Sequence, residues 1–209
     1  MVFERLKVKR EGAVLFLEIA VAPMNLLGPE LLRELVYGVL CIALLVFGAG
    51  VINAQKKNHP VRNIVLLHGA WADGSGWRGV YDILTKDGYN VSIVQEPETS
   101  FKDDVEATKR VIAQQDGPCI LVAHSYGGAV ATEAGNHPSE VGLVYVAAHM
   151  PDAGESEAQD GKRFPSDLSK STGIKTTPSG FTFLDPAQFH EYFAADLPVA
   201  PDCEITAAD

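Results

Sequence analysis

Cysteine is scarce in this sequence, and the few cysteines form no framework. The 209 residues contain three, at Cys41, Cys119 and Cys203, with no CxxC pair and no spacing typical of zinc ligands. A small domain held together by disulfides is therefore excluded, and we predict no metal site. The redox compartment cannot be deduced from these cysteines.

Basic residues are also in short supply. There are 17 Lys and Arg residues against 27 Asp and Glu residues, which gives a net charge of −10 at pH 7. An acidic surface repels a phosphate backbone, so we expect no nucleic-acid partner. Bases outnumber acids only within residues 1–62, and this change of sign indicates a domain boundary near residue 62.

Charged residues are absent altogether from residues 35–55. A helix of this length spans the hydrocarbon layer of a bilayer, about 30 Å. We predict a hydrophobic helix that is either a membrane anchor or a signal peptide starting at Met24 and cut near Ala54. A buried core helix is the alternative, but such helices usually keep a polar face. The protein is then membrane-anchored or exported to the periplasm or the extracellular space, or cytoplasmic if the N-terminal segment is an artefact.

The segment before this run has a pattern of its own. Residues 6–20 predict two strands around a Glu11-Gly12 turn, and a helix starts near Pro29. Residues 6–35 resemble the opening of the enoyl-CoA hydratase (crotonase) family. None of the catalytic positions of that family falls in this stretch, so the resemblance implies no crotonase activity. We therefore expect residues 1–34 to be a separate crotonase-like fragment.

Strands and helices alternate from residue 61 onward. Continuous apolar runs predict strands that are buried on both faces, and amphipathic segments predict the helices between them. The predicted strands are 63–67, 89–94, 118–123 and 141–148, and the predicted helices are 77–86, 103–115 and 129–136. This alternation is typical of an α/β fold with a parallel sheet and helices on both faces.

The residues that carry chemistry lie where the third of these strands meets the next helix. The sequence there is Ala123-His124-Ser125-Tyr126-Gly127-Gly128. Small residues two places before and after a serine fit the strained turn of a nucleophile elbow, which holds the hydroxyl above the sheet. Ser125 is the candidate nucleophile. The alternative is a tight strand–helix turn with an idle serine.

An oxyanion hole needs two backbone N–H donors beside the serine. The first candidate is the N–H of Tyr126. The second belongs to the loop after the first strand, where we choose Ala70, with Trp71 as the next choice. His68, Trp71 and Trp77 are candidates for the substrate pocket, although each could instead pack the loop and helix against the sheet.

These motifs together resemble a known superfamily. They are His68-Gly69-Ala70 followed by Gly74-Ser75-Gly76-Trp77, then the elbow, then Val-Tyr-Val-Ala-Ala-x-Met-Pro at 144–151. Residues 61–200 resemble the α/β-hydrolase superfamily, and within it the small cofactor-free esterase and hydroxynitrile-lyase-like group. The resemblance implies no cofactor, a small-molecule ester substrate, a core over 61–151 and a lid over 152–200. Residues 201–209 are predicted to be an irregular tail.

The resemblance also implies a triad in the order serine, acid, histidine. No strand pattern and no Gly-x-His signature follows the lid, so we expect a fold truncated before the last strands. His149 and Asp152 are the candidate substitutes for the missing members. We predict a serine hydrolase of small apolar esters that forms an acyl-enzyme on Ser125. The alternative is a catalytically impaired, membrane-tethered hydrolase-like domain of unknown oligomeric state.

Overall fold

A computed structural model describes residues 6–11, 14–19, 61–163 and 165–195. They fall into two compact units, a hairpin near the N-terminus and an α/β unit that starts at residue 61. The predicted hydrophobic helix over 35–55, the helix near Pro29 and the tail over 201–209 lie outside the described residues. None of the helices in the described part is long and apolar enough to cross a bilayer.

The N-terminal unit contains the predicted pair of strands. β1 (Leu6–Glu11) runs antiparallel to β2 (Val14–Ile19), with Leu6 opposite Ile19 and Glu11 opposite Val14. The two strands predicted over residues 6–20 are present as an antiparallel pair. The residues between them lie outside the described ranges, so the predicted turn stays a prediction.

The second unit alternates strands and helices, as predicted. Its elements are β3 (Asn63–Leu67), α1 (Arg78–Lys86), β4 (Asn90–Ile93), α2 (Phe101–Ala113), β5 (Cys119–Ser125), α3 (Gly127–Ala134), β6 (Glu140–Ala148), α4 (Glu157–Arg163), α5 (Asp167–Lys170), β7 (Ile174–Thr176), β8 (Thr182–Leu184) and α6 (Pro186–Phe193). The four central strands form one parallel sheet, in the order β4-β3-β5-β6.

The order of these strands determines where a site can form. The chain moves outward from β3 to β4 and then crosses back over β3 to β5. Because such crossovers are right-handed, α1 lies on one face of the sheet, and α2 and α3 lie on the other. The direction of winding reverses between β3 and β5. Ligands of open α/β sheets bind beside the carboxyl ends of the strands at such a switch point.

The core lies between the sheet and helices α2 and α3. Every residue of β3 is buried, as the apolar run 63–67 predicts for a strand covered on both faces. The largest core cluster is made of alternate strand residues and the inner faces of these two helices: Val65, Leu67, Val94, Val105, Ala107, Ile112, Cys119, Leu121, Ala123, Val130, Ala131 and Ala134. This packing gives β3 and β5 a rigid base.

Side-chain capping explains where two of the helices begin in the structure. Helix α2 begins at Phe101 rather than at residue 103, because the Ser100 hydroxyl accepts a hydrogen bond from the Asp103 N–H at 3.1 Å. Helix α1 begins one residue later than predicted. It follows a 3-10 turn over Gly74–Trp77 that the Asp73 side chain caps, accepting from the Ser75 N–H at 2.7 Å.

The segment predicted to be a lid contains small elements of its own. Two short helices are followed by the antiparallel hairpin β7–β8 and by α6. Leu184, Phe189 and Ala194 form a separate buried cluster, against which Trp71 and Phe193 pack. Because Trp71 belongs to the loop after β3, this segment rests on the carboxyl end of the sheet.

Candidate active site

Ser125 lies at a sharp junction between β5 and α3. The strand ends at Ser125 and the helix begins at Gly127, so the chain reverses within one residue. Ser125 has φ of 51°, in the left-handed region that is unfavourable for a residue with a side chain. This is the conformation that a nucleophile elbow requires. Ser125 is partly exposed as a residue.

The two glycines after the elbow are required by close backbone packing. A Cβ on Gly127 would overlap the carbonyl oxygen of His68, and a Cβ on Gly128 would overlap the carbonyl oxygen of His149. The elbow is therefore held between the chain that leaves β3 and the chain that leaves β6. The small residues noted in the sequence are explained by this contact.

The loop after β3 passes directly beside the serine. A Cβ on Gly69 would lie 2.7 Å from the Ser125 Cβ and 3.3 Å from its Oγ. This approach brings the Ala70 peptide to the side of Ser125. The N–H of Trp71 interacts with the Glu98 carboxylate, which makes Ala70 the better candidate donor. Tyr126 precedes α3, where backbone N–H groups have no partner within the helix.

His68 is bonded to this loop and to the loop after β4. It is 4% exposed, and its Nε2 accepts from the Glu96 N–H at 3.1 Å. The ring proton is therefore on Nδ1, which donates to the Gly69 carbonyl at 2.9 Å. Both ring nitrogens are engaged with backbone groups, and the assignment of His68 to the substrate pocket stays a prediction.

The two tryptophans have different surroundings. Trp77 is 8% exposed, and its indole N–H donates to the Leu67 carbonyl at 2.9 Å, so it packs against the sheet. Its assignment to the pocket stays a prediction. Trp71 is partly buried, and its indole N–H donates to the Thr182 hydroxyl at 3.1 Å. Trp71 thus links the oxyanion loop to the hairpin β7–β8 and stays a candidate for the pocket.

One histidine that follows the sheet has both an acidic partner and a bond to the elbow. The His149 N–H donates to the Ser125 carbonyl at 3.0 Å, and its ring Nε2 lies 3.1 Å from Glu157 Oε1. Asp152 is engaged in a local turn, in which its N–H donates to the Glu155 carboxylate at 3.1 Å. Sequence reasoning missed Glu157, which becomes adjacent only because α4 folds back toward β6.

His124 is bonded to the neighbouring strand. Its Nδ1 donates to the Val146 carbonyl at 2.9 Å, and burial lowers the pKa of the ring. The histidine next to the serine in sequence therefore ties β5 to β6.

Backbone strain is concentrated at the same edge. Within the described ranges, the non-glycine residues with positive φ are Trp71, Glu98, Ser125 and Ala147. Each lies at or after the carboxyl end of a different strand of the sheet. Strained conformations persist where the surrounding packing enforces them, and they cluster at functional sites.

The comparison with known families agrees with this geometry. A sequence profile described as the alpha/beta hydrolase family matches residues 64–207. The chain belongs to the alpha/beta hydrolase family. The superfamily suggested by the elbow and the oxyanion loop is thereby confirmed.

Several relatives are similar to this family member over part of their length. A carbendazim-hydrolysing esterase from Nocardioides sp. (strain SG-4G) is 32% identical, over 45% of this chain and 45% of that protein. A crystal structure of a PytH variant has 25% identity and a TM-score of 0.56, covering 69% of this chain and 65% of the other. Polyneuridine aldehyde esterase has 23% identity and a TM-score of 0.52, with 62% and 60% covered. The chain therefore spans less than two thirds of each relative.

An acidic cluster that sequence reasoning missed lies beside the loop after β3, with two of its members buried and Glu98 partly exposed. It consists of Glu96, Glu98 and Asp104, which come from the loop after β4 and from α2. Neither carboxylate oxygen of Glu96 accepts a hydrogen bond, but its Oε2 lies 3.4 Å from His68 Nδ1. Burial raises the pKa of Glu96 to about 8, and the carboxylates of Asp104 and Glu98 add to the shift. Burial likewise raises the pKa of Glu98 to about 7.

These raised pKa values predict that the stability of the protein falls at alkaline pH. The unfolded chain releases the glutamate protons near pH 4.5, whereas the folded protein keeps them up to about pH 7 to 8. The contribution of these two protonated glutamates to stability is therefore fully present below about pH 4.5 and is lost as the pH rises through about 7 to 8. Urea unfolding across this window should show the decline. Glu96→Gln should flatten it, and the exposed Glu106→Gln on α2 should not. An unchanged slope in Glu96→Gln would contradict the assignment.

Proposed function

We propose that this protein is a serine esterase that cleaves small apolar carboxylic esters through an acyl-enzyme on Ser125. The observation that carries the proposal is the left-handed Ser125 at the junction of β5 and α3, with Gly69 packed against its side chain. The names of the relatives, an esterase and a pyrethroid hydrolase, add support for ester hydrolysis.

The reaction begins with attack of Ser125 Oγ on the carbonyl carbon of the ester. The resulting oxyanion is held by the backbone N–H groups of Ala70 and Tyr126, and the N-terminus of α3 adds a favourable dipole. Collapse of this intermediate breaks the ester bond and releases the alcohol, which leaves the acyl group on Ser125. Water then attacks the acyl-enzyme in the same way and releases the acid.

Ser125 needs a base to accept its proton, and we assign this role to His149. Its main chain is bonded to Ser125, and its Nε2–H points to Glu157, which leaves the lone pair on Nδ1 to act as acceptor. Glu157, in place of Asp152, then orients the ring. The proton returns from His149 to the leaving alcohol, so the protons balance over the cycle.

The predicted lid supplies apolar side chains at the carboxyl ends of the strands. Trp71 joins it through Thr182, and Phe181 is a large exposed aromatic residue at the start of β8. An apolar acyl or alcohol group would be shielded from water by such residues. We therefore expect short aliphatic and aromatic esters to be better substrates than charged ones.

A fluorophosphonate probe tests the proposal directly, because it reacts with an activated serine and leaves a mass label. We expect the full chain to be labelled once, at Ser125, and to hydrolyse p-nitrophenyl acetate. Ser125→Ala should lose both the label and the turnover, whereas Ser75→Ala, a surface serine in the turn after β3, should keep both. A folded chain that takes no label would mean that the domain is not a serine esterase.

A further inference from the structure

The two sides of the proposed oxyanion hole are joined beneath the sheet edge by one buried aspartate. Asp104 on α2 is 0% exposed. Its Oδ2 accepts from the Tyr126 hydroxyl at 2.6 Å, and its Oδ1 accepts from the Glu98 N–H at 2.8 Å. One carboxylate thus contacts both the elbow and the loop after β4.

The loop after β4 continues the connection to the other donor. The Glu96 N–H donates to His68 Nε2 at 3.1 Å, and the opposite nitrogen of that ring donates to the Gly69 carbonyl at 2.9 Å. Gly69 immediately precedes Ala70. A chain of hydrogen bonds and short peptide links therefore runs from Tyr126 through Asp104 and His68 to the Ala70 peptide.

The geometry points to Asp104 as a positioning residue, which fixes the distance between the Tyr126 and Ala70 N–H groups and thereby the fit of the oxyanion. This inference rests on the proposed esterase function. It adds a residue from α2, 21 positions before the serine in sequence, that touches neither substrate nor oxyanion. Asp104 acts through Tyr126 on one side and through the backbone of Glu98 on the other.

The bond between Tyr126 and Asp104 has the properties that a positioning role requires. Burial and the Asp104 carboxylate raise the pKa of the Tyr126 hydroxyl far above its ordinary value, so the hydroxyl stays a donor at neutral pH. A short bond from a fixed donor to a wholly buried carboxylate allows little movement, because hydrogen bonds to charged acceptors are the stronger ones. The Glu98 backbone is also held in the left-handed region, with φ of 51°.

A packing role alone would predict a different outcome from a positioning role. If the bond only stabilised the fold, its loss would lower the denaturation midpoint and leave each folded molecule fully active. If it positions the oxyanion donors, its loss lowers kcat and the affinity for oxyanion mimics, and it leaves KM nearly unchanged. The readouts are therefore kcat and KM per titrated active site, together with the binding of phenylboronic acid, whose serine adduct carries a tetrahedral oxyanion.

The test compares Tyr126→Phe, which removes only the hydroxyl, with Asp104→Asn, which keeps the size of the side chain. Glu106→Gln on the same helix is the matched control, because this exposed residue pairs with Lys109, at 3.6 Å, and not with the cluster. We expect kcat and boronate affinity to fall about 10- to 100-fold in both variants, with KM within about twofold of wild type. The losses should not add in the double variant, because both changes act on the same contact between Tyr126 and Asp104.

The experiment distinguishes a failure of the esterase function from a failure of the positioning role of Asp104. If wild type neither turns over ester nor binds the boronate, the esterase function is wrong. If wild type does both and Tyr126→Phe keeps its kcat and boronate affinity, the positioning role is wrong, whatever the stability of Asp104→Asn. A loss of stability with unchanged kcat per titrated site would also overturn it.

Discussion

Gly69→Ala is expected to lose at least about 100-fold of its acylation rate while the protein stays folded. The added Cβ would lie 2.7 Å from the Ser125 Cβ and 3.3 Å from its Oγ. Ser125 cannot retreat, because it already has φ of 51° and its carbonyl is bonded to the His149 N–H. The loop or the serine must shift, and either movement separates the nucleophile from its oxyanion donors.

The measurement is the rate constant of fluorophosphonate labelling, with the denaturation midpoint recorded in parallel. Gly76→Ala is the matched control, because a Cβ there meets no atom within 4 Å and the residue has no positive φ. We expect the control to label at the wild-type rate. Wild-type labelling of Gly69→Ala would show that the loop after β3 can move freely away from the serine, which would contradict the oxyanion-hole assignment.

His149→Ala is expected to lower the acylation rate about 1000-fold, because a serine hydroxyl is a weak nucleophile without a base. Added imidazole should restore part of the rate by occupying the space of the lost ring. Glu157→Gln should cost less, about 10- to 100-fold, since it removes the group that orients the ring and leaves the ring itself.

Asp152→Asn is the control that shows which of the two acids, Asp152 or Glu157, orients His149. Asp152 bonds within its own turn, whereas Glu157 contacts His149 at 3.1 Å. Labelling kinetics of the three variants, with circular dichroism to verify folding, decide the assignment. Equal rates in His149→Ala and wild type would remove His149 as the base, and they would leave the role of Ser125 to its own test.

Much of the fold could be predicted from local patterns. The strand over 63–67 was predicted to the residue, because an uninterrupted apolar run is favourable only in a strand covered on both faces. The hairpin over 6–19 follows from alternation around a turn. The helix starts were less accurate. Caps such as Ser100 extend a helix beyond its apolar pattern, and their effect depends on side-chain bonds.

Roles within the site were predicted less well than the motif that marks it. His68 and Trp77 follow a strand that ends at the site, which favoured a pocket role, but each points its ring nitrogens at backbone groups of the loop or strand. Asp152 is near His149 in sequence, but Glu157 is the acid near it in space. The cluster of Glu96, Glu98 and Asp104 has the composition of a solvated acidic stretch, and nothing in that pattern indicates burial.

The sequence by itself determined the alternation of strands and helices and the elbow around Ser125, because those features depend on residue size and periodicity within a few neighbours. Only the tertiary structure decided which groups surround the serine. Gly69, His149 and Asp104 come from three separate elements and meet at the elbow because parallel strands and a right-handed crossover bring their ends together. Contacts between residues distant in sequence are set by packing, and no local pattern encodes them.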